Sequence, residues 1–361
     1  MKRRFFQALL VSAIVMIPAF SHALEGRTKV LSTTFPIWLL TGIVTVGDAG
    51  ISNDLLIAPS MGCPHDYSVT PNDLSRMAAA DVIIINGLGM DDSLVQGKNR
   101  ASGGKAVVID SSSGIQGVMD YSHGEGARKT VAHHDKTAGD KTGHEGHHHE
   151  DHFGAGHHEC PHYAEHHGND GRQDDAAGHA HEAGHVHEGT NPHLFASPLM
   201  AARIARNIAR ELGSIRPSSK DLYERNATAF EARMNRLTAD FQAAVKRLKN
   251  VRIVTQHGAF DYLARDVGLQ ITAFVQDHPG YEPSAAEMLA LTKTIRAGGA
   301  GAIFVEPQYP QKVPRALAAE AGIPVGLLDP VATGPAGAGT DYYEKVMRQN
   351  ITALEKTLGT R

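Results

Sequence analysis

The chain has 361 residues, a formal net charge of -4 and 42% hydrophobic residues, which is enough apolar material for a sizeable core and a length that suggests about two domains. The near-neutral balance lacks the concentrated basic face that nucleic acid requires, and 6% aromatic residues leave little for stacking platforms.

From the N-terminus, Lys2, Arg3 and Arg4 form a basic head, Phe5 to Phe20 is almost wholly apolar, and Ser21-His22-Ala23 offers small residues around a cleavage point. This is the pattern of a secretory signal peptide over residues 1–23, cleaved near Ala23. The apolar run, about 16 residues, is shorter than the roughly 20 that a membrane-spanning helix needs. No Cys follows to carry a lipid anchor, so an exported, soluble, periplasmic protein is expected.

Strand-like and helix-like runs then alternate. Lys29 to Thr33 and Ser52 to Ala58 read as strands around a helix at Pro36 to Val46. Thr70 caps a helix that opens on Pro71, a residue whose missing N–H costs nothing at the first helical position. Asp81 to Asn86 is β-branched and apolar on both faces, as in a strand buried between helix layers, and Lys105 to Ile109 is another strand. From residue 112 to 190 the chain is Gly, His, Asp, Glu and Ala with few large apolar residues, so it cannot bury a face and is expected to be a disordered insert. Of the 22 histidines, all but His22, His65, His193, His257 and His278 lie in this tract.

Helical periodicity resumes at Phe195 to Leu212. In Lys220 to Leu248, Ala227, Phe230, Met234, Leu237, Phe241, Val245 and Leu248 recur at three and four residues and predict one long helix. Strands are predicted at Arg252–Thr255, Ile271–Val275, Ala302–Val305 and Val325–Leu328. Helices are predicted at Ala259–Val267, Ser284–Ala297, Lys312–Ala321 and Asp341–Leu358. Strands alternating with helices give parallel βαβ units. The expected architecture is α/β, with two lobes that are each a mostly parallel sheet flanked by helices. The N-terminal lobe covers 24–218 and includes the insert at 112–190, the linker helix 219–249 bridges the lobes, and the C-terminal lobe covers 250–361.

In open parallel sheets ligands bind beyond the carboxyl ends of the strands. Four metal-capable residues fall there: His65 after the Ser52–Ala58 run, His193 once the insert is crossed, His257 after Arg252–Thr255, and Asp329 after the last strand. Three imidazoles and a carboxylate are a set that zinc takes tetrahedrally. Glu306, at another strand end, could orient a ligand histidine or simply be solvated, and His278 is placed outside the site. Two H-E-x-x-H matches, at residues 144–148 and 181–185, carry glycines and no apolar supporting face, so they read as compositional and not as a protease motif. Cys63 and Cys160 could pair in an oxidising compartment or stay free thiols.

The mature chain resembles the zinc and manganese solute-binding proteins of bacterial ABC uptake systems, the ZnuA-like (cluster A-I) family. The resemblance is carried by Pro64-His65-Asp66-Tyr67, Thr70-Pro71-Asn72-Asp73-Leu74, Ala80-Asp81 through Asn86-Gly87-Leu88-Gly89, Asn191-Pro192-His193-Leu194, His257-Gly258-Ala259-Phe260-Asp261-Tyr262, Phe304-Val305-Glu306-Pro307-Gln308 and Leu328-Asp329-Pro330. It implies two α/β lobes joined by a long rigid helix, with metal held between them on His65, His193, His257 and Asp329. Asn191 stands where the family often has Asp, and Phe195 where it has Trp. Manganese members commonly carry a carboxylate at the position of His257, and three imidazoles suit a borderline-soft ion, so zinc is the expected cargo. The resemblance further implies a non-enzymatic, monomeric receptor that delivers Zn2+ to an ABC permease and its ATPase. The alternative is a periplasmic zinc buffer or chaperone acting mainly through the His-rich insert.

Overall fold

The computed structural model describes residues 27–61, 67–92, 94, 105–121, 189–276 and 283–361. Among these residues eight strands form two four-stranded parallel sheets, and both are wired alike. In the first, β1 (Thr28–Ser32), β2 (Ile51–Leu55), β3 (Val82–Ile85) and β4 (Val107–Asp110) lie in the order β2-β1-β3-β4. In the second, β5 (Arg252–Thr255), β6 (Gln270–Phe274), β7 (Ala302–Val305) and β8 (Val325–Leu327) lie in the order β6-β5-β7-β8.

Every pairing is parallel, for example Leu31 opposite Asp54 and Ile83, so crossover helices must cover both faces. In the first lobe these are α1 (Phe35–Thr45) and α2 (Pro71–Ala79), followed by α3 (Pro198–Ile215) and the linker α4 (Lys220–Arg247). In the second they are α5 (Asp261–Val267), α6 (Ala285–Gly298), α7 (Lys312–Ala321) and α8 (Tyr342–Leu358).

Period-2 alternation explains the layering. On β3, Val82 and Ile84 face the main core, whereas Ile83 and Ile85 face a satellite cluster with Met77 of α2. On β7, Ala302 and Phe304 join the main core while Ile303 joins a second satellite with Ile295 and Leu317. The two inner faces therefore share one apolar core, threaded by α4, whose Tyr223, Ala227, Phe230, Met234, Leu237, Phe241 and Val245 are all buried. With 28 residues, α4 is about 42 Å long. Truncating one such aromatic, for example Phe230→Ala, typically costs about 3–5 kcal/mol.

Two helices begin later than the periodicity suggests. The helix expected from Phe195 is a 3-10 turn at Leu194–Ala196, then a break at Ser197, then α3. Pro198 cannot continue the preceding turn and starts a new helix instead. Likewise a 3-10 turn at Gly258–Phe260 precedes α5. The edges of the His-rich tract are ordered further inward than composition implies. Tyr121 N–H donates to Gly189 O (3.1 Å), Asn191 N–H donates to Met119 O (2.8 Å), and Asp120 and Thr190 form an antiparallel bridge. Residues 112–121 and 189–190, expected within the insert, thus belong to the ordered first lobe. Residues 1–26, with the expected signal peptide, and Cys63, Cys160, His65, His278 and both H-E-x-x-H matches lie outside the described residues. Among the described residues no helix is long and apolar enough to cross a membrane.

Candidate metal site

The lobes meet along a bonded seam beside the carboxyl ends of the strands. Tyr262 of α5 donates its hydroxyl to Asn191 O (2.6 Å), and Tyr343 of α8 donates to Phe195 O (2.7 Å). Ser197 donates to the Asp266 carboxylate at 2.5 Å, Arg265 to Gly117 O at 2.5 Å, and Gly334 N–H to Pro59 O at 3.1 Å. Two glycines permit the close approach. A Cβ on Gly258 would stand 2.9 Å from the Tyr121 ring, and one on Gly334 would stand 2.2 Å from Phe35.

His193 and His257 face each other across this seam with ring centroids 5.0 Å apart. Both are buried. His193 sits where the first lobe's chain re-enters after β4. Its backbone N–H (3.0 Å) and its Nδ1 (2.9 Å) both converge on Asn191 Oδ1. Asn191 Nδ2 donates to Gly258 O and to the Asp261 carboxylate, which fixes Oδ1 as an acceptor and therefore puts the His193 proton on Nδ1. Tyr121 and Phe195 contact the ring edge-on at 6.1 and 5.9 Å.

His257 follows β5. Its Nδ1 lies 2.5 Å from Glu306 Oε1, at the end of β7, and Tyr309 packs edge-on at 5.6 Å. A carboxylate accepts, so here too Nδ1 carries the proton, and a metal bound to this ring would sit on Nε2. Glu306 is itself held tightly: Gln308 donates to Oε2 at 2.8 Å, and the Glu306 N–H donates to Gln256 Oε1 at 3.1 Å.

Asp329 follows β8 and is partly buried. Its backbone is clamped to Asn350 of α8 in both directions, at 2.9 and 2.8 Å. Its Oδ1 accepts the Val331 N–H at 2.7 Å, and Val331 adopts φ 65°, a left-handed conformation rare for a β-branched residue. The turn thus commits one carboxylate oxygen and leaves Oδ2 to another partner. Burial, with repulsion from Glu306, pushes the Asp329 carboxyl up to about 6, against the opposing pull of that N–H.

Of the four sequence-derived ligands, the structure brings His193 and His257 together and sets Asp329 near enough to Glu306 for their charges to repel. Among the described residues no group of three or more His, Cys, Asp or Glu side chains is drawn tightly enough to hold an ion. Three contributors were not singled out by sequence reasoning: Asn191 as a ring holder, and Tyr121 and Tyr309 as packing partners. Asn191 is visible only as a motif neighbour, Tyr121 is hidden at the edge of the His-rich tract, and Tyr309 carries no sequence signal.

Two parallel α/β lobes, one rigid connecting helix and paired imidazoles in the seam define a two-lobed binding protein. The family model described as zinc-uptake complex component A, periplasmic (ZnuA) matches residues 30–357. The chain belongs to that family. It is 32% identical over 343 residues to the zinc-binding lipoprotein AdcA of Streptococcus pneumoniae, covering 92% of this chain and 56% of that protein. It is 27% identical over 335 residues to the high-affinity zinc uptake system protein ZnuA of Bacillus subtilis, covering 92% and 88%. The chain spans about half the length of its AdcA relatives. Among solved structures, a laminin-binding adhesin Lmb mutant from Streptococcus agalactiae matches with TM-score 0.65 and 21% identity, covering 92% of this chain and 99% of that one. A ZnuA deletion mutant with zinc bound matches with TM-score 0.64 and 20% identity, covering 92% and 99%. These two likenesses establish the fold.

Proposed function

We propose that this chain is a periplasmic zinc receptor that captures Zn2+ between its lobes and hands it to an ABC permease driven by an ATPase. One observation carries the reading: histidines from opposite lobes have ring centroids 5.0 Å apart, each with Nδ1 bonded to an acceptor, which leaves coordination to Nε2. His65 and Asp329 complete the ligand set. Imidazole-rich coordination suits zinc better than manganese, which takes oxygen donors. Family membership and the zinc-binding names of the relatives support the same cargo. Four protein ligands would fill a tetrahedron and leave no open position for a reacting water, which supports a carrier and not an enzyme.

The buffer reading draws on the His-rich insert, and its ordered stems pair at Asp120 and Thr190, close in sequence to His193. In the receptor reading that tract adds weak sites to one tight one. Transfer separates the two. Zinc-loaded protein added to vesicles carrying the permease and ATPase supports ATP-dependent zinc uptake, and His257→Ala does not. Loaded protein that binds zinc yet supports no uptake contradicts the receptor function.

A further inference from the structure

Glu306 is buried, and among the described residues the one basic side chain within ion-pair distance is His257, which is a cation only when doubly protonated. No Lys or Arg neutralises it there. Burying a carboxylate without a permanent cation is costly, and such a charge is retained where something supplies the counter-charge. Asp329, a second partly buried carboxylate, stands close enough to feel it. A divalent ion on the far nitrogen of His257 answers both.

The bracing around Glu306 is extensive. Oε1 meets His257 Nδ1 at 2.5 Å, and Oε2 accepts from Gln308. The backbone N–H is fixed by Gln256, whose own amide donates to Pro310 O at 3.2 Å. By contrast, the other histidine of the pair leans on the neutral amide oxygen of Asn191.

We propose that Glu306 is a positioning residue that fixes His257 and makes it the stronger zinc donor of the pair, setting how tightly the site holds its ion. The inference rests on the zinc-receptor reading. A carboxylate on the distal nitrogen raises the electron density at the coordinating one and removes the ring's rotational freedom.

Glu306→Gln separates charge from shape. The amide can still accept from His257 Nδ1. Gln308 Oε1 is buried without a hydrogen-bond partner, so a flip of the Gln308 amide offers an acceptor for the new NH2 group. Zinc affinity is measured on the full chain by chelator competition below one equivalent, for wild type, Glu306→Gln, Glu306→Asp and His257→Ala. Bound Co2+ is followed by its visible spectrum, and the metal-free proteins by thermal unfolding. Glu306→Gln is expected to unfold at or above the wild-type temperature, bind zinc about 10- to 100-fold more weakly, and shift the Co2+ band. Glu306→Asp, which keeps the charge, recovers part of the affinity. Wild-type affinity in Glu306→Gln, with His257→Ala weakened, overturns the proposal and leaves the site standing. Affinity unchanged in both overturns the site itself. A Glu306→Gln protein that loses unfolding temperature together with affinity makes the residue structural and overturns the proposal as well.

Discussion

The two lobes are built on one plan, a parallel sheet in second-first-third-fourth order, yet they hold their histidines by different means. In the C-terminal lobe the residue after the third strand is Glu306, and its charge rests on the His257 ring. In the N-terminal lobe the equivalent position is Asn86, a neutral amide that donates to Pro192 O (3.0 Å) and supports the backbone of the His193 loop. The His193 ring is instead held from its own segment by Asn191. The difference follows from what else each holder must do. Asn191 Nδ2 spans the seam to Gly258 O (2.7 Å) and Asp261 (2.9 Å), two contacts that need a donor, which an ionised carboxylate lacks. Glu306 has no such duty and can be charged. One lobe thus uses its second contact for cohesion, and the other is proposed to use it for ligand strength.

The largest effect comes from removing the rings. His257→Ala and His193→Ala should each weaken zinc binding on the order of a hundredfold or more, beyond the 10- to 100-fold range typical of an outer contact, with His257→Ala the worse. Chelator competition gives the order, and the reverse order breaks the asymmetry between the lobes.

Asn191→Asp makes the two holders alike. It sets a carboxylate against Asp261 and Gly258 O, and should destabilise the metal-free protein by about 1–3 kcal/mol, a fall of several degrees in unfolding temperature. Unchanged thermal stability would show that the seam does not dictate the neutral residue.

Asp329→Asn tests the buried charge with a smaller effect. Because the folded carboxyl is pushed up to about 6 from 3.8, it favours folding fully below about pH 4, and that contribution is lost as pH rises through 6. Metal-free wild type should therefore lose stability relative to Asp329→Asn across that window, on the order of 1–2 kcal/mol after screening at the exposed edge. Zinc should restore it in wild type only. Parallel unfolding curves for the two proteins from pH 4 to 7 would contradict the assigned cause.

Much of this was legible in the chain. The apolar periodicity of α4 named most of its buried face, missing Tyr223, Thr238 and Ala244, and strand ends pointed to His193 and His257, which the structure brings together. What remained hidden was contact between distant segments. Tyr121 sits at the end of a Gly- and His-rich tract whose composition masks its order, yet pairing with Gly189 and packing on His193 hold it. The pairing of Glu306 with His257 spans 49 residues of sequence and depends on β5 and β7 being neighbours in the sheet, which no local pattern encodes. The break before Pro198 was signalled by the proline itself, and the apolar run around it outweighed the signal.

The central claim is that tight zinc binding belongs to the seam and not to the His-rich insert. Calorimetric titration of a chain lacking residues 122–188, which keeps the Tyr121 and Gly189 stems, tests it directly. One tight zinc per chain should remain while the weaker ions disappear. Loss of the tight site with the insert, in a protein that still folds, would contradict the account.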